Sequence, residues 1–185
     1  MNKLKILLIY IILMTTSICF GDQLNYVENK FGNYIVRVAY GPDSQQSVGS
    51  YSLHIYRIYE EGINDFIKGV VIPRNGTLVK CWMLDIDDDK YIEIIVWTTS
   101  AGSGSYGELD VFKFDGIDMS PFKLPIPDKS LLNGYSGHDV YDIKDGIVFR
   151  SFPIYLENAA NCCPKGERRT IELDILKKQW KLSSN

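Results

Sequence analysis

Two strongly apolar runs on either side of an eight-residue stretch that is small, glycine-rich and hydroxyl-bearing except for one tyrosine constrain this chain more than any other feature of it. Tyr91-Ile-Glu-Ile-Ile-Val-Trp97 is rich in branched and aromatic side chains and reads as a buried strand. Glu108-Leu-Asp-Val-Phe-Lys-Phe114 reads as its hairpin partner. Between them lies Ser100-Ala-Gly-Ser-Gly-Ser-Tyr-Gly107, whose glycines at 102, 104 and 107 permit backbone conformations closed to other residues. The loop is expected to stand out from the sheet edge with Tyr106 as its one large side chain. The alternative is a generic glycine-serine turn at a hairpin end.

The rest of the chain repeats the strand and turn alternation. Tyr34–Tyr40, Tyr51–Tyr59, Asp65–Ile72 and Thr77–Leu84 read as strands, separated by turn residues such as Gly41-Pro-Asp-Ser44 and Pro73-Arg-Asn-Gly76. Three prolines between Pro121 and Pro127 demand an extended path that is neither helix nor central strand. A strand pair is expected either side of Lys144-Asp-Gly146, the second strand running Ile147–Phe152. Thr170–Ile175 alternates apolar against polar, as a strand with one wet face should. Residues 177–182 close the chain around Trp180. Asp22–Lys30 has few apolar residues and reads as a loose lead-in. No segment after the leader keeps a helical period over three turns, so the expected fold is all-β, an antiparallel β-sandwich or barrel forming a single domain.

The leader is the stretch Met1 to Gly21. Lys3 and Lys5 precede an apolar core from Ile6 to Met14, followed by small and polar residues, the pattern of a secretory signal peptide. Cleavage after Gly21 is expected to leave an exported domain of residues 22–185. Cys19 as the lipidated residue of a lipoprotein is the alternative, disfavoured by the bulky Ile18 before it. Losing Lys3 and Lys5 from 20 basic residues leaves 18 against 23 acidic ones, a net charge near −5. Such a body makes nucleic acid and anionic membrane surfaces poor partners and a basic protein a good one. No membrane insertion is expected after cleavage, and a homodimer is left open. In an oxidising compartment the remaining cysteines, Cys81, Cys162 and Cys163, suggest a bridge from Cys81 to one of the adjacent pair.

Little in the chain points to catalysis or a cofactor. Asp85, Asp87, Asp89 and Glu93 stand at positions 1, 3, 5 and 9 of an oxygen-ligand loop, which raises an exported calcium-dependent binding or adhesion domain as a second functional reading. Lys90 occupies the place where such loops turn on glycine, which favours a solvated acidic turn instead. His54 sits inside a strand with no second histidine near it and reads as a sheet-face residue. His138 beside Asp139 raises a hydrolase, but none of Ser100, Ser103 and Ser105 is flanked by glycines two residues away on both sides, as a nucleophile elbow requires. A histidine in a glycine-bounded turn more commonly holds the loop together. Phosphate loops, dinucleotide fingerprints and zinc spacings do not occur, and no cofactor is expected.

Four motifs in order carry a resemblance. They are Ser100–Gly107, Gly134-Tyr-Ser-Gly-His-Asp139, Arg150-Ser-Phe-Pro-Ile-Tyr155 and Asn161-Cys-Cys-Pro164. Together they resemble the PliI family of periplasmic inhibitors of invertebrate-type (i-type) lysozyme, over about Val48 to Trp180. The resemblance implies a β-sandwich that is not an enzyme and that blocks an i-type lysozyme by inserting a protruding loop into its substrate cleft. The matching loop here is Ser100–Gly107, comprising Ser100, Gly102, Ser103, Gly104, Ser105, Tyr106 and Gly107. Ser103 and Tyr106 fall on the serine and tyrosine that the family uses, and Gly102 and Gly104 allow close approach.

Overall fold

A computed structural model describes residues 25–41, 48–59, 62, 64–86, 88–156, 160, 162, 164 and 166–184. The expected signal peptide, Asp87 and Cys163 lie outside them. Among the described residues, twelve antiparallel strands form three successive four-stranded meanders. The first sheet holds β1 (Asn25–Phe31), β2 (Tyr34–Tyr40), β3 (Gly49–Ile58) and β4 (Asn64–Arg74). The middle sheet holds β5 (Thr77–Leu84), β6 (Ile92–Thr99), β7 (Gly107–Phe114) and β8 (Met119–Pro121). The third holds β9 (Val140–Lys144), β10 (Ile147–Pro153), β11 (Arg168–Asp174) and β12 (Gln179–Leu182).

The fold is all-β and antiparallel, as expected, but it has three layers. Alternate residues of a strand face opposite sides of its sheet. On β6, Ile92, Ile94 and Val96 pack with Val36, Val38, Tyr51, Leu53 and Ile55 of the first sheet. From the opposite face of the same strand, Ile95 and Trp97 pack with Tyr141, Val148, Leu173 and Ile175 of the third sheet region. β7 divides likewise: Phe112 and Phe114 face the first core, Val111 the second. The middle sheet is therefore covered on both sides, which explains why β6 is apolar at both parities. Each fully buried aliphatic side chain of this strand contributes about 1.5–3 kcal/mol of transfer free energy.

Turns follow the residues that favour them. Asp145 and Gly146 both take positive φ, 50° and 74°, the pairing that a two-residue hairpin turn needs between β9 and β10. The proline-rich stretch after β8 crosses from the middle to the third sheet. There Phe122 and Leu124 pack on the second core, and the Trp180 indole donates to the Pro125 carbonyl at 2.7 Å.

Two elements depart from expectation. The lead-in is a strand: β1 pairs with β2 along its whole length. It lies at a sheet edge with mostly exposed side chains, so its stability comes from the backbone ladder and from Arg37, which pairs with Glu28 at 2.6 Å and stacks over Tyr26. The expected Cys81 bridge is not formed. Cys81 is a free thiol turned into the first core, while exposed Cys162 lies in the connection between β10 and β11 of the third sheet. Burial raises the pKa of the Cys81 thiol, which makes it less reactive.

Candidate functional site

The loop between β6 and β7 is closed at its base by two bonds. Ser100 N–H donates to the Tyr106 carbonyl at 2.8 Å, and Tyr106 N–H donates to Ser100 Oγ at 2.9 Å. Gly102 takes φ +104°, and Ser105 N–H donates to the Gly102 carbonyl at 3.3 Å, which folds the tip over. Ala101, Gly102 and Ser103 are exposed at that tip, Ser105 is half-buried and Gly104 is buried. Tyr106 is 44 % exposed. The loop from Ser100 to Gly107 carries no ionisable side chain apart from the Tyr106 phenol.

Gly104 is buried because a second segment lies against it. Along 134–138, Gly134, Gly137 and His138 take φ of +79°, +97° and +56°, a tight coil that turns backbone groups toward the loop. His138 N–H donates to the Gly104 carbonyl at 2.7 Å, and a Cβ on Gly137 would run into that same carbonyl oxygen. The Tyr106 ring meets Tyr135 edge to face at 5.9 Å between centroids, and its hydroxyl lies 3.4 Å from Ser136 Oγ. The loop is thus a braced knuckle and not a free-standing probe.

Beneath both segments sits Asp139, its side chain wholly buried. Oδ2 accepts from Gly107 N–H at 2.8 Å and from the Tyr135 hydroxyl at 2.6 Å, while Oδ1 accepts from Arg150 Nε at 2.7 Å. The Arg150 guanidinium in turn lies over the Tyr135 ring at 4.6 Å. A buried carboxylate is costly unless it is paired and hydrogen-bonded, and three donors answer that requirement. Tyr141 adds a bond from its hydroxyl to the Gly107 carbonyl at 3.3 Å. Burial first, and then the Asp139 hydrogen bond, raise the Tyr135 phenol above the ordinary tyrosine range. Gly107 has no room for a side chain, since a Cβ there would meet Asp139 and Tyr141 at 2.7 Å.

Three of the sequence motifs therefore converge on one place: the loop, the 134–139 coil and the strand carrying Arg150. Neither Asp139 nor Tyr135 is singled out by sequence as part of the loop's setting. Their only signal is the glycine-bounded motif that contains them. The arrangement also removes the hydrolase reading. Asp139 is occupied by Arg150, Tyr135 and Gly107, while the His138 ring stacks near Tyr155 with centroids 6.5 Å apart. His54 lies on the outer face of β3 between Tyr56 and Phe66, as a sheet-face residue.

The acidic turn is organised by its own backbone. Asp85 accepts from the N–H groups of Asp89 and Lys90 at 3.1 and 2.9 Å, and Asp89 accepts from Tyr91 N–H at 2.9 Å. Glu93 accepts from Ile86 N–H at 2.8 Å. Lys113 supplies the positive charge, 3.1 Å from Asp89 and 3.5 Å from Glu93. Among the described residues no group of carboxylates is disposed to hold a metal ion.

The sequence model of the family described as periplasmic lysozyme inhibitor of I-type lysozyme, PliI, matches residues 29–129. That stretch includes the Ser100–Gly107 loop and ends before the three later motifs, so it begins earlier and stops sooner than the resemblance suggests. Among solved structures, the chain is similar to Aeromonas hydrophila PliI in complex with Meretrix lusoria lysozyme. The two are 32 % identical over 53 % of this chain and 81 % of that one, with a TM-score of 0.47. It is also similar to PliI-Ah of the same organism, with 29 % identity over 56 % of this chain and 94 % of that one, at a TM-score of 0.44. No curated protein sequence matches significantly. Matched by the family's sequence model over more than half its length, the chain belongs to the PliI family of periplasmic lysozyme inhibitors.

Proposed function

We propose that this protein inhibits an i-type lysozyme in the periplasm by placing the Ser100–Gly107 loop in the enzyme's substrate cleft. The observation that supports this reading best is the exposed, uncharged tip at Ser103 with Tyr106 beside it, mounted on the stretch that the family matches. Lysozymes cleave glycosidic bonds with carboxyl groups in a groove. The Ser103 hydroxyl is a donor for such a carboxylate, and Tyr106 brings a stiff amphipathic ring that loses little entropy on binding. A tip without carboxylates buries no like-signed charge there. The acidic body favours encounter with a basic enzyme. The protein acts as a stoichiometric plug and performs no chemistry.

The test is titration of the protein without its leader against i-type, chicken-type and goose-type lysozymes in a cell-wall lysis assay. Inhibition near one-to-one stoichiometry with the i-type enzyme alone is expected. The double variant Ser103→Ala, Tyr106→Ala should weaken inhibition at least about thirtyfold, the scale of a lost interface hot spot, with its β-sheet circular dichroism signal retained. Full inhibition by that variant rules out the loop as the plug.

A further inference from the structure

The groups that brace the loop against the third sheet come from residues 134–150, beyond the 29–129 stretch that the family's sequence model matches. Resting on the inhibitor reading above, we propose that Gly137 and Asp139 are positioning residues. They hold the loop in its binding conformation before the target arrives, and they do so without touching the target.

The geometry supports each part of this. Asp139 has no exposed side-chain surface, so no partner can reach it. Its Oδ2 nonetheless fixes the loop's C-terminal end through Gly107 N–H, and the adjacent His138 N–H fixes the loop near its tip through the Gly104 carbonyl. Tyr135 connects the two, bonding to Asp139 through its hydroxyl and packing its ring edge to face with Tyr106. The hydrogen bonds within the loop itself close its base and fold its tip but do not set its angle to the sheet. That angle depends on the 134–139 coil. A five-residue tip with two glycines has many conformations, and ordering it at the moment of binding lowers affinity by the fraction of molecules already in the competent form. Removing the brace therefore lowers the association rate, because fewer molecules present a competent loop. Dissociation stays nearly unchanged, because the bound contacts are the same.

Gly137→Ala is the primary variant. A Cβ at φ +97° is strained and meets the Gly104 carbonyl, so the coil and the loop must separate. Asp139→Asn is the second, removing the charge that Arg150 needs. Should that variant fail to fold, Gly137→Ala decides alone. Amide hydrogen exchange on the free protein is measured first. Exchange at Gly107, and at His138 across the contact, is expected to rise about tenfold or more, with β2 and β6 amides unchanged. Association with an i-type lysozyme, followed by biolayer interferometry, should then slow by about tenfold with the dissociation rate constant within about twofold of wild type. A purely structural role would instead raise exchange throughout the sheets. Unchanged loop exchange in Gly137→Ala overturns the brace. Faster loop exchange with an unchanged association rate overturns its role in inhibition. Failure of the wild-type protein to bind any lysozyme overturns the inhibitor reading and with it the role in inhibition, and the exchange result then still reports whether the brace exists.

Discussion

The Tyr51 hydroxyl donates to Asp110 Oδ2 at 2.7 Å, across the interface between the first and middle sheets. Tyr51 is 1 % exposed, so this bond lies at the margin of a core that is otherwise apolar. Tyr51→Phe removes the donor and leaves the Asp110 carboxylate partly buried without it. Bonds to charged groups contribute about 1.5–3 kcal/mol, so the variant should lose about 2 kcal/mol in urea titration. In a domain of this size that is a fall of about 4–8 °C in Tm.

The two-faced middle strand makes a second prediction. Ile94 and Ile95 are neighbours in sequence and both fully buried, yet one belongs to the first core and the other to the second. Ile94→Ala and Ile95→Ala should each cost about 2–5 kcal/mol, the range for aliphatic truncation in a packed core. Val71→Ala on β4, where the side chain is 67 % exposed, should stay within about 0.5 kcal/mol. If only one of the two isoleucines were sensitive, the middle sheet would have one wet face and the three-layer stack would be wrong.

That strand also shows how far the sequence could be read. Its branched residues reveal a strand, but in a two-layer sandwich Ile94 and Ile95 could not both be buried, and the absence of alternation is the mark of a third layer. β11 alternates as a one-sided strand should, with Ile171 and Leu173 buried and Glu172 outward, and it is legible for that reason. β1 is not, because an edge strand held by its ladder needs few apolar residues. The loop was legible because glycine and serine are unusual between two apolar runs. Its brace was not: the donors to Asp139 come from positions 107, 135 and 150, and only the folded chain brings them together.

The acidic turn should ignore calcium. The Asp85 carboxylate is already bonded to two backbone N–H groups, and Lys113 occupies the electrostatic position a cation would take. Melting temperatures in millimolar calcium and in chelator should agree to within about 1 °C, since ligand that binds neither state shifts nothing. Asp85→Ala, by contrast, should lower stability by about 1 kcal/mol through the two orphaned N–H groups. A calcium-dependent rise of several degrees would restore the cation-binding reading.

Alkaline pH should unfold the protein through three tyrosines. Tyr51, Tyr135 and Tyr141 all have phenol pKa values raised well above the ordinary tyrosine range, first by burial, with nearby Asp110 or Asp139 adding to it. In the unfolded chain the same phenols ionise near pH 10. Above that pH the unfolded state has released protons that the folded state keeps, so folding stability falls as pH rises. Below it these groups stay protonated in both states and make no pH-dependent contribution. The slope is about 1.4 kcal/mol per pH unit for each tyrosine that stays protonated in the fold. Absorbance at the phenolate band should therefore show a late second step, cooperative with unfolding, in which Tyr51, Tyr135 and Tyr141 ionise together. Tyr51→Phe should make that second step smaller by one phenolate. Smooth titration of all the tyrosines without loss of the β-sheet circular dichroism signal would mean that these hydroxyls are not buried as described.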